Sequence, residues 1–440
     1  MVKKLLRHNT FWVMVITFTG MAFGLIFHVL IPRRFNVGPT ADALIAALKV
    51  VLLVDTIVRE GAKFSLVPLF IKEEKLKNST EYQYFINGIL NFSLATGVVI
   101  AIFIEIFAPW IAIGLLSNSS TETRAEMTIL LRLFAPLVIF GCGSTILGAF
   151  LNSQKRFKTV ALRNALPPGI ATVVFLLLWG TEKLPHWVTI AYASGFVVYF
   201  GWLCIGMRHT GHRYKLKWLS IDTLRSLKNT ITLPTLGFAI RQLSARLLVE
   251  VYLIEKLGEG AITLYNSAFR IFSAVQTLIG ISIATTSLPD MATHNSEEKK
   301  LKLKRILYRN VVIALCIALP ATLLLLLSHA KIASLMYGRS NLDQVAIQQI
   351  GQLLFYLSIG MVFSCLIPIL NAGLYAQRTY RLVFRNMVTM AVLNFAMAYG
   401  FVTAWGLLGI ALAVSVTAVL AVGNLVYLLQ KTGISLLPQK

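Results

Sequence analysis

The sequence predicts an all-α polytopic membrane protein, about twelve transmembrane helices in two parallel six-helix repeats, on three observations. The chain of 440 residues is 57% hydrophobic and only 13% charged, with a mean hydropathy of +0.73, far more apolar surface than a soluble domain can hide. Apolar runs of span length recur along its whole length, and only helices or closed barrels satisfy the backbone across a bilayer. A sequence motif also returns after half the chain, with an even number of spans between its copies.

Twelve apolar runs lie near 11–31, 41–58, 84–108, 127–151, 160–180, 186–207, 231–255, 262–287, 310–336, 350–373, 384–405 and 408–429. The first follows a basic start, as a leader would, but it is a full span long and lacks a small-residue cleavage site, so it predicts a first transmembrane helix. Pro167 and Pro168 open the fifth, Pro234 the seventh, and Pro320 lies inside the ninth. Each marks either a bending point or simply a span start or static kink. Cys142, Cys204, Cys316 and Cys365 fall in apolar runs without metal or disulfide spacing and read as buried packing residues.

The net charge of +23 is explained by topology. With the N-terminus inside, most Lys and Arg fall in inner segments, while the outer loops hold only Arg33, Arg34, Arg124, Lys183, Lys256, Lys331 and Arg339. The termini are therefore expected on the cytoplasmic side, with anionic lipid head groups as the electrostatic partner and nucleic acid excluded. The stretches 215–228 and 299–309 set apolar residues at helical spacing beside basic ones. They read as helices on the inner membrane surface, the alternative being solvated linkers.

The stretch "ILGAFLNSQKRFKTVALRN" (146–164) returns as "ILNAGLYAQRTYRLVFRN" (369–386), and "SLVPLF" ending at 70 is matched by "TSLPDM" ending at 291. Two matches at nearly one period argue for duplication, and six intervening spans make the halves parallel, an arrangement that places a substrate path between two bundles. The expected organisation is a lobe over 1–210, a basic interfacial linker over 211–230 and a second lobe over 231–440.

Outside the loops the basic residues are Lys49, Arg132, Arg241, Arg246 and Arg270, and the acidic ones at similar depth are Asp42, Asp55, Glu105, Glu250 and Glu255. Burying them in lipid is costly. Asp42 with Lys49, Arg246 with Glu250, and Asp55 with Arg59 have spacings that allow pairing along one helix. Arg132, Arg241, Glu105 and Glu255 lie near span edges and read as structural pairs or snorkelling residues. Arg246, Glu250 and Arg270 lie deeper, and a shared polar cavity would offset their cost. Guanidinium groups there suit an anionic, phosphate-bearing substrate. His28 either titrates in such a cavity or is a packed neutral histidine.

These residues resemble a known family. "TADALIAALKVVLLVDTIVREGAKFSLVPLF" (40–70), "LLRLFAPLVIFGCGSTILGAFLNSQKRF" (130–157), "LYNSAFRIF" (264–272), "TTSLPDMATH" (285–294) and "AGLYAQRTYRLVFRN" (372–386) are similar to segments of the MurJ (MviN) lipid II flippases, in the same order along nearly the whole chain. The resemblance implies the two-lobed fold of the multidrug/oligosaccharidyl-lipid/polysaccharide transporter superfamily and movement of an undecaprenyl-linked sugar from the inner to the outer leaflet. Asp42, Glu60 and Arg270 fall where the family has an acid, an acid and a cavity arginine. The family's first-span arginines fall on Met21 and Phe27 beside Gly24 and His28, and a second-span arginine falls on Asp55. Typical members carry two further C-terminal spans beyond the twelve found here.

The expected activity is thus a flippase for an undecaprenyl-pyrophosphate-linked sugar working by alternating access in the bacterial inner membrane, not an enzyme. Arg270, Arg246, Lys49, Asp42 and Glu250 are the expected substrate-binding residues, and Glu60, Asp55 and His28 gating or structural ones. No cofactor or metal is expected, since no nucleotide-binding loop is visible; carrier return would draw on membrane potential or a monovalent cation. Cell-envelope synthesis proteins are the expected protein partners. The alternatives are an exopolysaccharide or O-antigen repeat-unit flippase and a non-transporting scaffold of a cell-envelope complex. A drug or cation antiporter would favour an acidic cavity. A glycosyltransferase would need a catalytic acid in a large outer loop, where only Glu122, Glu126 and Asp343 stand.

Overall fold

A computed structural model describes every residue except 1–8, 77, 220–231, 233–234, 293–296, 339, 341, 378 and 435–440. The described chain is helical with short connections. It divides into two compact units, Met1–Ala239 and Ile240–Lys440. The division lies within the helix over 235–255, and residues 211–219 of the basic segment count with the first unit.

The first unit holds α1 (Asn9–Phe35), α2 (Pro39–Leu76), α3 (Ser79–Leu115), α4 (Thr121–Ser153), the short α5 (Phe157–Ala161), α6 (Leu166–Leu177) and α7 (Leu184–Arg208). Asn78 caps α3 by accepting from the Glu81 N–H at 2.9 Å, and Ser120 caps α4 by accepting from the Thr123 N–H at 3.2 Å. Helix α4 is the central element, buried along most of its length against α2, α3 and α7. Where helices must approach closely, small residues permit it: a Cβ at Gly195 in α7 would lie 2.5 Å from the Pro167 Cα. The proline pair itself starts α6, after a 3-10 turn over Leu162–Asn164, so it acts as a span start that breaks the fifth span.

The second unit holds α8 (235–255), α9 (Ala261–Gln276), α10 (Ser282–Ala292), α11 (Glu297–Tyr337), α12 (Gln344–Ile359), α13 (Met361–Ala376) and α14 (Tyr380–Lys431). Helices α12 and α13 together have the length and apolar character of one span and are bent by 49° to each other. The bend sits on Gly360, whose N–H donates to Ser415 Oγ at 3.0 Å and whose missing Cβ would lie 2.5 Å from the Ser415 Cα. Helix α14 is two spans in one hydrogen-bonded run, broken at Gly406 with φ 56° and ψ −134°, a conformation essentially confined to glycine.

Where the residues are described, eleven of the twelve predicted apolar runs fall on helix apart from short breaks, and the fifth is divided by the 3-10 turn over Leu162–Asn164. Among the described residues, eight helices are long and apolar enough to cross a membrane, and the bent α12–α13 pair makes a ninth. The rest of the predicted set is α2 and α8, which carry more charge, and the second half of α14. The recurring motif also matches in detail, since Gln154 ends α4 and Gln377 ends α13 at the same cap position.

Three expectations are corrected. The interfacial helix at 215–228 is absent where the chain is described: residues 212–219 are not helical, and 220–228 lie outside the described residues. The reason is tertiary, because this segment spends its polar groups on α3 rather than on itself. The stretch 299–309 is helical but is the first part of α11, continuous with its span. Cys316 is exposed on the apolar surface of α11, whereas Cys142 and Cys365 are buried. Pro234 lies outside the described residues.

Candidate functional site

In the first unit, the polar residues of interest lie on α2. Asp42 stands in its first turn, where exposed backbone N–H groups and the helix dipole favour a carboxylate. Lys49 follows two turns later, and both side chains are buried, at 4% exposure. Asp55, 5% exposed, does not pair with Arg59 along the helix as its spacing suggested. It accepts a hydrogen bond from Arg163 Nη2, and Arg59 instead pairs with its neighbour Glu60 at 3.4 Å. His28 is buried on α1 with its ring edge-on to Phe27 at 5.4 Å.

Arg163 is the residue sequence reasoning missed. It stands in a basic run just before the proline pair and counts there as one more inner-loop cation. It lies in the 3-10 turn over Leu162–Asn164, and its side chain is only 10% exposed. It lies 5.4 Å from the Phe196 ring centroid and 6.0 Å from that of Tyr199, and Tyr199 donates from its hydroxyl to the Val160 carbonyl at 3.0 Å. Gly141 of α4 makes room for the partner, since a Cβ there would lie 2.7 Å from Asp55 Oδ1. The one signal that could have pointed to this pair is the proline pair, which separates residues 157–164 from the helix that follows. At the far end of α3, Arg132 Nε lies 3.9 Å from Glu105 Oε1 on the exposed face, the edge pair the sequence suggested.

In the second unit the deep charges stand on α8 and α9. Arg246 and Glu250 lie within Leu243–Leu253, where the backbone ladder runs i→i+5, a widened helix frequent at functional sites. Glu250 is buried at 8% exposure, and Arg246 is half-buried. Ser244 Oγ donates to the Ala391 carbonyl at 2.8 Å and ties this segment to α14. A tight turn with Gly258 and Gly260 at φ +116° and +88° leads into α9.

Arg270 is half-buried on α9, beside a stacked Tyr265–Phe269 pair with centroids 5.6 Å apart. The helix is held on its other sides. Tyr337 donates to the Ser267 carbonyl at 3.4 Å, and Gln276 Nε2 donates to the Ser364 carbonyl at 3.1 Å. Beyond Arg270 a second i→i+5 turn spans Thr277–Ile281. Of the two widened stretches in the described chain, one contains Arg246 and the other follows Arg270. Among the described residues, no group of three or more His, Cys, Asp or Glu side chains is placed to hold a metal ion.

The fold defines the class: a protein of many long apolar helices with charged side chains buried among them. The chain superposes on an inward-facing MATE family multidrug-resistance transporter of the MOP superfamily with a TM-score of 0.77, at 14% identity, covering 97% of this chain and 98% of that one. It superposes on lipid II flippase MurJ in an inward closed conformation with a TM-score of 0.82, at 18% identity, covering 95% and 87%. The family model described as lipid II flippase MurJ matches residues 31–439, and the chain belongs to that family. A probable lipid II flippase MurJ of Rickettsia prowazekii is 24% identical over 410 residues, 92% of this chain and 80% of that protein. The family is one of transporters, so the protein is a multi-pass membrane transporter rather than an enzyme.

Proposed function

We propose that this protein carries an undecaprenyl-pyrophosphate-linked sugar, lipid II or a related glycan precursor, from the inner to the outer leaflet of the bacterial inner membrane by alternating access. The family match over residues 31–439 carries this reading. Arg270 and Arg246, half-buried on α9 and α8, neutralise pyrophosphate charge with paired N–H donors, and Glu250 sets the local charge balance. Lys49 and Asp42 form the polar counterpart on α2, and Glu60, Asp55 and His28 gate or brace it. The termini lie in the cytoplasm, in keeping with the distribution of lysine and arginine. Membrane potential or a monovalent cation returns the empty carrier, and cell-envelope synthesis proteins are its neighbours.

The test is complementation. In cells depleted of their own lipid II flippase, the wild-type chain should restore exposure of lipid II on the outer leaflet, measured with a membrane-impermeant lipid II label. Arg270→Ala should lose most of that exposure at equal protein level, and Arg270→Lys should retain part of it. Full exposure with Arg270→Ala would sink the assignment of Arg270 and favour a scaffold. Failure of the wild-type chain to restore lipid II, with growth of another surface polysaccharide, would redirect the substrate to an exopolysaccharide or O-antigen unit.

A further inference from the structure

The segment after α7 is built more firmly than a connection requires. Two buried asparagines one turn apart on α3, Asn87 at 0% and Asn91 at 5% exposure, use both ends of their amides on it. Asn87 Nδ2 donates to the Arg213 carbonyl at 3.2 Å, and its Oδ1 contacts His212 Nε2 at 2.8 Å. Asn91 Nδ2 donates to the Lys217 carbonyl at 2.8 Å, and its Oδ1 accepts from the Tyr214 hydroxyl at 2.7 Å. The His212 ring packs on Phe150 at 5.3 Å, and Leu219 fills the space over Gly88. Residues 212–219 are thus a non-helical strap clamped along α3.

What the strap holds outward is a mixed apolar and cationic strip. Leu216 and Trp218 are 69% and 65% exposed, and Arg213, Lys215 and Lys217 are exposed beside them. The ammonium groups of Lys215 and Lys217 lie 5.7 and 5.0 Å from the Tyr84 ring centroid, which gathers two cations at one place. Its depth follows from α3. The exposed apolar face of that helix runs from Phe92 to Ile113, roughly 33 Å at 1.5 Å per residue, close to the hydrocarbon thickness of a bilayer. Every α3 residue the strap touches, from Tyr84 to Asn91, precedes Phe92. The strip therefore stands at head-group level, where tryptophan prefers to sit and lysine meets lipid phosphate.

We propose that the 212–219 strap is a binding site for the head group of an anionic phospholipid: Lys215, Lys217 and Arg213 take the phosphate, and Leu216 and Trp218 seat between the upper acyl chains. The site is distinct from the residues assigned to the transported substrate, and its test does not depend on transport. The chain has seven tryptophans, so the Trp218 signal is taken as wild type minus Trp218→Phe. Full-length protein is reconstituted into vesicles containing phosphatidylglycerol or phosphatidylcholine brominated near the head group. Quenching of the Trp218 component should favour brominated phosphatidylglycerol, with an apparent preference on the order of tenfold for the clustered cations. The preference should fall towards one in Arg213→Gln/Lys215→Gln/Lys217→Gln and weaken in high salt. Equal quenching by both lipids, an undiminished preference in the triple variant, or no quenching by either would overturn the proposal; the last would place Trp218 in water or against a protein.

Discussion

Removing the Asp55 carboxylate would leave the Arg163 guanidinium buried beside Phe196 and Tyr199 with its counter-charge gone. Breaking one side of a buried pair typically costs several kcal/mol. Asp55→Ala should therefore destabilise the protein by about 3 kcal/mol, read as a lower unfolding temperature in lipid nanodiscs. The exchange Asp55→Arg/Arg163→Asp should recover a substantial part; no recovery would mean that the aromatic rings, not the charges, hold the site. Arg132→Ala should cost much less, because the Arg132–Glu105 pair is half exposed on both sides. At this scale the sequence was legible where charge and depth agree. Asp42, Lys49, Glu250 and Arg270 were found from a charged letter inside an apolar run, and all stand on helices as expected. Arg163 was not, because its burial is decided by where α6 begins, and a basic residue before a proline pair looks like any other loop cation.

The strap shows how an element escapes sequence reading. Its apolar residues at helical spacing beside basic ones fit a surface helix, but Asn87 and Asn91 offer its backbone carbonyls better partners 126 residues away in the chain. Replacing both asparagines with alanine should release it, at about 1 kcal/mol per hydrogen bond lost, and speed proteolytic cutting after Lys215 and Lys217. Acid should act in the same direction. Burial lowers the pKa of His212 below its ordinary 6.5, so the folded strap binds its proton less readily than the released one. Its clamping is fully present above pH 6.5 and is lost as pH falls through the lowered folded value. Limited proteolysis across that range should accelerate downwards in wild type, and His212→Gln should flatten the dependence. The π-type stretches in α8 and after α9 were equally invisible in the letters, since a widened ladder depends on what packs around the helix.

For the whole molecule, the twelve-run pattern and the repeat were legible because hydrophobic length and charge bias are imposed by the bilayer itself. The division at Ala239/Ile240 was less so, because a continuous helix passes through it and no change in composition marks the spot. Topology has its own check: single cysteines at 217 and 183, in a background lacking native cysteines, should be labelled from opposite faces of sealed vesicles. Labelling from one face would overturn the span assignment for α7. Gly406 carries a further consequence, in biogenesis. Between Arg385 and Lys431 the chain offers the insertion machinery no charged residue, and the break at Gly406 is what divides the 52 residues into two helices. A straight helix of that length would extend roughly 78 Å, more than twice the hydrocarbon core. Gly406→Leu should therefore cause some nascent chains to thread through once, leaving the C-terminal end on the wrong side, and a reporter fused there would divide between the two compartments.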